Sequence, residues 1–265
     1  MNSTDLIAAL DLPAASRVDR RVPKTLLLEH GALTPADRRH INERIDELQW
    51  VAALKPTTIG VPEYRDDLRE YLEIAVLRLT LRAEGEAPAA RSDLRSATAQ
   101  RVIELVHRAV PYPVILVTEH DQGRRVGLSV AHKRWSQGES GKTVLDGEVV
   151  AVEWDGSEAV PWAAVAQALA LGRQPRTTMY ALYQGWMDTL IAVQAASVTG
   201  AFSDAASPGH AADRLEALRE CGRLDAEITR VRAAAAKEKQ VARQVELNLA
   251  LKRLEVTKAA ACARL

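Results

Sequence analysis

Cysteine is nearly absent. The 265 residues include only Cys221 and Cys262, both close to the C-terminal end. Two thiols without clustered spacing exclude a disulfide framework and a cysteine-rich zinc site, so reduced thiols are expected. The chain before residue 200 therefore has no cysteine nucleophile. No Gly-x-Ser-x-Gly turn stands ahead of a helix either, which leaves covalent hydrolase chemistry without a residue to use. Net charge is absent too: lysine plus arginine and aspartate plus glutamate both number 35, so contact with a polyanion has to come from a local patch. No stretch approaches the ~20 apolar residues of a bilayer span. The opening MNSTDLIAALDLPAASR lacks the basic start, apolar centre and small-residue cleavage site of an export signal. A cytoplasmic protein without membrane contact is the expectation.

What is present suffices for a folded body. Apolar residues at 47% and charged residues at 26% match soluble globular usage. Thr34-Pro35 reads as a helix start, and Ile41, Ile45 and Leu48 at helical spacing predict a helix from about Pro35 to Trp50. Strand-like segments follow at about 50–61 and 70–82; the nearly continuous apolar run through Leu72, Ile74, Ala75, Val76 and Leu77 predicts a central strand covered on both faces. AEGEAPAARSD reads as a loop, Ser96 to Val110 as a helix, and Pro111-Tyr112-Pro113 as its sharp end. VILVTEH and RVGLSVAHKRW, joined by Asp121-Gln122-Gly123, predict a hairpin, and a further strand is expected at about Glu148 to Trp154. From Val160 the apolar period turns helical, with Met179, Leu182, Tyr183, Trp186, Leu190 and Ile191 as one stripe.

These elements predict an α/β (α+β) fold: a mixed central sheet flanked by helices over residues 1–199, a linker at 200–210 and a helical tail at 211–265. The tail contains no proline and one glycine up to residue 262, and its apolar residues repeat at roughly heptad spacing. A coiled coil and a hairpin turning near Ala236 both fit, as does a tail folded back on the body. The first two bury Leu224, Ile228, Val231, Val245 and Leu249, the candidate partner-binding residues.

Few motifs carry chemistry. Gly138 to Thr143 resembles the end of a phosphate-binding loop, but Ser136 stands where its leading glycine belongs and the following residues are strand-like, so a polar hairpin loop is expected. His120 and His132 belong at opposite ends of the predicted hairpin, which excludes a shared metal, and His132 is expected to be hydrogen-bonded and partly buried. The element order invites comparison with PD-(D/E)xK nucleases, in which a carboxylate and a carboxylate-x-lysine pair hold a divalent metal. No lysine in the chain has a carboxylate two residues before it. Glu73 and Lys133 are the residues such an enzyme would have to use. No metal and no cofactor are expected. The remaining signal is basic: Arg17, Arg20, Arg21 and Lys24 near the start, Lys55, then Lys133 and Arg134 beside Trp135. Such residues hold phosphates and, with an aromatic neighbour, stack on bases. The bland alternative is the solvated edge of a sheet.

An ordered set of short segments, RRVPK, LQWVAALKPTTIGV, EIAVLRLTL, VPYPVILV, HKRW and EWD, with KEKQVARQVELN in the tail, resembles the prokaryotic family of domain of unknown function 4391 over nearly the full chain. The resemblance implies no reaction. It implies a setting, since members are similar to accessory components encoded beside DNA helicases and DNA methyltransferases of restriction or antiphage systems. Pro23, Lys24, Trp50, Lys55, Pro111, Pro113, Lys133, Arg134 and Trp154 match the family's pattern, and none of them brings a known role. The resulting expectation is a non-catalytic adaptor. Lys24, Lys55, Lys133 and Arg134 are its candidate nucleic-acid contacts, and its tail self-associates or docks on a helicase or methyltransferase; a divergent metal-dependent nuclease is the alternative.

Overall fold

Local capping chemistry sets where the first helices begin. The computed structural model describes residues 1–31, 34–82, 92–139, 141–156, 161–203 and 208–265. Helix α1 (Ser3–Ala9) starts with a reciprocal capping box between Asn2 and Asp5. Strand β1 (Arg17–Arg21) and helix α2 (Lys24–His30) follow, and α3 (Pro35–Arg44) repeats the capping box with Thr34 and Asp37, with Pro35 in its first turn. Next come β2 (Ile45–Leu54), the single turn α4 (Pro56–Ile59), the short β3 (Tyr64–Arg65) and β4 (Glu70–Tyr71), β5 (Ile74–Leu81) and α5 (Ser92–Ala109). The chain continues through β6 (Val114–His120), β7 (Arg125–Val130), β8 (Lys133–Trp135), β9 (Thr143–Leu145), β10 (Val150–Trp154), α6 (Trp162–Leu169) and α7 (Met179–Thr199). Helices α8 (Pro208–Lys237) and α9 (Val241–Cys262) complete it. The chain forms two compact units, Met1–Leu190 and Ile191–Leu265, and α7 runs across their division.

In the first unit, six strands form a mixed sheet in the order β1-β2-β5-β6-β7-β10. Every pairing is antiparallel except β5 with β6, the pair that α5 connects. β5 is central and almost wholly buried, as its apolar run predicts. One face carries Leu48, Leu77, Leu79 and Leu116 into a cluster with Leu27 of α2, Ile41 of α3 and Val102, Leu105 and Val106 of α5. Residues of the other parity, including Val76, Ile115, Val117 and Leu128, are buried as well, and α1 packs beside β6 and β7. Each fully buried leucine or valine contributes about 1.5–3 kcal/mol relative to exposure.

Three sequence expectations need correction. Residues 45–50 are strand: β2 pairs with β5, and register shifts between Ile45 and Glu47 and between Trp50 and Ala52 break its alternation. The first shift lets Ile45 and Leu48, three apart, both enter the core, so a bulged strand imitates helical spacing. The segment after Leu54 is the α4 turn, ended by Gly60 in the left-handed region (φ 65°). RVGLSVAHKRW is divided between β7, in the main sheet, and β8, which pairs only with β9. The β6–β7 connection is a turn at Asp121–Gly123, with Asp121, Gln122 and Gly123 all at positive φ. The predicted loop at 83–93 falls largely outside the described residues, as does part of the predicted linker.

In the second unit α8 and α9 form an antiparallel hairpin broken at Glu238–Gln240, close to the predicted turn. Asp225 pairs with Lys258 at 2.6 Å, Arg232 with Glu255 at 2.9 Å, and Arg214 Nε donates to the Leu265 carbonyl at 3.0 Å. Cys221, Leu224 and Ala261 form a small core with Leu254, Cys262 and Leu265 around it.

Candidate functional site

The basic residues marked by sequence meet different fates. Lys133 is 2% exposed and donates to the carbonyls of His107 and Val110, at the C-terminal end of α5. Helix C-termini gather unpaired carbonyls and partial negative charge, and a lysine there caps them. Burial lowers the Lys133 ammonium to about 7, whereas the two carbonyls favour its charged form. Lys133 is thus an internal fastener and is not available to a phosphate, correcting its expected place on an exposed strand end. Lys24 is half-buried and donates to the Ile45 carbonyl, tying α2 to the start of β2; burial, with Arg82 next, lowers its pKa. Lys55 is half-exposed and faces Glu73 at 3.2 Å, and Arg134 faces Asp146 at 3.6 Å. The four residues form no common patch: one is internal, one holds a backbone carbonyl and two are paired with acids.

His132 anchors a buried polar network. Gln184 donates its amide to Asp188 at 2.7 Å, so its carbonyl oxygen accepts from His132 Nε2 at 2.7 Å, and His132 Nδ1 accepts from the Tyr71 hydroxyl. That sequence fixes a neutral imidazole with its proton on Nε2. Burial lowers the His132 pKa and raises that of Tyr71, in keeping with this state. The Tyr183 hydroxyl joins the Ala131 amide to the Val114 carbonyl, and Arg69 lies over the Tyr180 ring at 5.1 Å while pairing with Asp146 at 3.1 Å. The network knits β4, β8 and the start of α7 together.

A different feature is open to solvent. At the sheet edge a cleft of about 430 Å³ lies between β1, α2 and the α5–β6 connection. Its walls are apolar, from Leu26, Leu27, Leu77 and Val110, with the rings of Trp50 and Tyr112, and its charged or titratable lining residues are Arg20, Arg21 and His30. Trp50 Nε1 donates to the Ala52 carbonyl at 2.9 Å, which holds the ring in place. In sequence, Arg20 and Arg21 stand in a basic opening, whereas Trp50 matches the family's pattern without a known role and Tyr112 lies in the Pro111–Pro113 helix end. The RR doublet was the only available signal, because the cleft joins residues 20 to 112.

The remaining sequence candidates separate clearly. Gly138, Glu139, Gly141 and Lys142 belong to the connection between β8 and β9, where Lys142 pairs with Glu139 at 2.9 Å, and Thr143 opens β9; Ser140 lies outside the described residues. His120 closes the β6–β7 ladder at its turn, opposite Arg125, and His132 lies beyond the other end. Among the described residues, no group of three or more histidine, cysteine, aspartate and glutamate side chains could hold a metal ion, and no helix is long and apolar enough to cross a membrane. Of the tail residues, Leu224 and Ile228 are buried and Val231 is half-buried, whereas Val245 and Leu249 are 52% and 54% exposed. The expected burial of the last two is corrected: α9 has two apolar stripes, and the one turned inward runs through Leu247, Leu251, Leu254 and Ala261. Both stripes have helical spacing, so periodicity cannot choose between them; the leucine-rich stripe offers more apolar area to bury.

Comparison with known proteins places the chain at family level. No curated protein and no solved structure matches it. The model of the domain of unknown function DUF4391 matches residues 10–257, from the end of α1 almost to the end of α9. The mixed sheet, its covering helices and the C-terminal hairpin are therefore features of a member of the DUF4391 family, to which this chain belongs.

Proposed function

We propose that the protein is a non-catalytic accessory or adaptor protein of a DNA-processing or antiphage defence system, which docks on a DNA helicase or methyltransferase through its C-terminal hairpin and touches nucleic acid through its body. The observation that carries the reading is the outer stripe of α9: Val241, Val245, Leu249 and Val256 are 74%, 52%, 54% and 65% exposed. At 3.6 residues per turn they share one side of the helix, opposite the stripe that packs inward. Helices stable on one apolar face rarely expose a second without a partner to cover it. The family setting beside helicases and methyltransferases supplies the partner class.

Full-length V245D/L249D should fold like the parent, since both side chains are more than half exposed, yet bind such a partner about a hundredfold more weakly. Complex formation at parental affinity would overturn the docking role. A parent that forms a dimer, abolished by the same substitutions, would reassign the stripe to a second copy of the chain.

The nuclease alternative needs Glu73 and a catalytic lysine free to act together. Glu73 Oε2 faces Lys55, its Oε1 has no hydrogen-bond partner among the described residues, and Lys133 is fastened to the end of α5. No cleavage of DNA or RNA is expected with magnesium or manganese. Cleavage that disappears in E73A would restore the enzyme.

A further inference from the structure

The cleft at the sheet edge combines apolar walls, two aromatic rings and two arginines. Aromatic residues make up only 4% of the chain, yet two of the five tryptophans and five tyrosines line this cleft. Tyr112 is 40% exposed and, among the described residues, has no ring or hydrogen-bond partner. Arg20 and Arg21 are exposed, and neither has an ion-pair or hydrogen-bond partner for its side chain among the described residues. Among the described residues, no acid lines the cleft. β1 is irregular just before them: Asp19 has φ 48°, and the register with β2 slips between Arg17 and Arg20. A left-handed non-glycine residue in an edge-strand bulge is strained, and such strain gathers where side chains are re-aimed for function. Here two consecutive arginines border one cleft.

We propose that this cleft receives one unpaired nucleobase of single-stranded DNA or RNA, its ring against Tyr112 and Trp50 and its neighbouring phosphates on Arg20 and Arg21. The inference rests on the reading that the body touches nucleic acid, and it names the form and the place. About 430 Å³ lies within the range of small-ligand pockets, roughly 300–1,000 Å³, and is too small for a duplex to enter. Every base has an apolar face that stacks on a ring, so recognition of this kind tolerates sequence, while the cationic rim selects the phosphate backbone. An acyl chain with an anionic head would also meet an apolar wall and a cationic rim. Two rings in the wall favour the base.

Fluorescence anisotropy of the full-length protein with labelled oligothymidylate, oligouridylate, an abasic single strand and a duplex tests the assignment. Intact single strands should bind best. Y112A, changed at an exposed side chain, should weaken them about tenfold, the size of one lost base stack. R20E/R21E should weaken every ligand and flatten the salt dependence, and L26E, which places an anion in the cleft wall, should act on intact strands as Y112A does. Melting curves confirm that each variant folds. Oligothymidylate bound and oligouridylate rejected would restrict the site to DNA, and the reverse to RNA. Equal binding of intact and abasic strands, unchanged in Y112A but lost in R20E/R21E, would overturn the base pocket and leave phosphate binding standing. No oligonucleotide binding, with a fluorescent fatty acid bound instead, would overturn both.

Discussion

At the scale of single residues, charged side chains such as Lys133 hold the fold together from inside. Asp37 is the clearest structural acid. It accepts the N-cap hydrogen bond of Thr34 and a two-point contact from Arg101, at 2.8 and 3.1 Å, which holds its carboxyl down to about 2. D37N should cost about 1–3 kcal/mol, discounted because Arg101 is a third exposed, and a urea titration would measure it. Gly185 is a second case. In a helix interior alanine ordinarily outranks glycine by about 1 kcal/mol, but here a Cβ would lie 2.5 Å from Pro175 Cδ and 2.6 Å from Gln174 Oε1. G185A should therefore lower the melting temperature; a rise would show that the 174–175 segment yields easily.

At the scale of elements, the tail hairpin brings together two thiols 41 positions apart. Cys221 Sγ and Cys262 Sγ are 3.3 Å apart and both are free. Burial, then its hydrogen bond with Cys262, pushes Cys221 up to about 11, and Cys262 is the more exposed of the two, so Cys262 is the sulfur that reacts first. With hydrogen peroxide as oxidant, its thiolate attacks one oxygen to give a sulfenic acid and hydroxide; the Cys221 sulfur then displaces the second hydroxide as water, leaving a disulfide. Peroxide should make the intact protein lighter by two hydrogens and raise the unfolding temperature of the hairpin, by at most about 4 kcal/mol in stability. C221A should lose both effects. An equal thermal shift in C221A would show that the cross-link does not form. Elements were legible in sequence wherever one pattern dominated, as in β5, the end of α5 at Pro111 and the hairpin turn. They were misread where a bulge in β2 mimicked helical spacing, and where two stripes of α9 competed for one partner helix.

At the scale of the molecule, buried titratable groups set the response to acid. His107 is wholly buried against Ser129 at 2.9 Å, and burial, then the nearby Lys133, lowers it to about 3. The unfolded chain takes up this proton near pH 6.5 and the folded chain only near 3, so the unfolded state binds more protons in that interval. Stability falls as pH drops from about 6.5 towards 3. Asp37, depressed to about 2, adds loss in the same direction below about pH 4. H107Q should flatten the upper part of the acid transition, between about pH 6.5 and 4, and leave the Asp37 part in place; calorimetry across that range would show it. An unchanged profile would mean that His107 takes up its proton as readily in the folded state as in the unfolded one.

The sequence by itself determined the α/β class, the central place of β5, the helical character of the tail, and the membership marked by an ordered set of segments. Each rests on local composition or periodicity, which survives without knowledge of the partner strand or helix. Only the tertiary structure decided which charges are free. Lys133 and Arg20 look alike in sequence, yet one caps an internal helix end and the other borders an open cleft, because exposure depends on what residues far away in the chain place beside each ammonium or guanidinium group. The same holds for the cleft: its rings and arginines come from three separate segments, and nothing in any one of them announces the others.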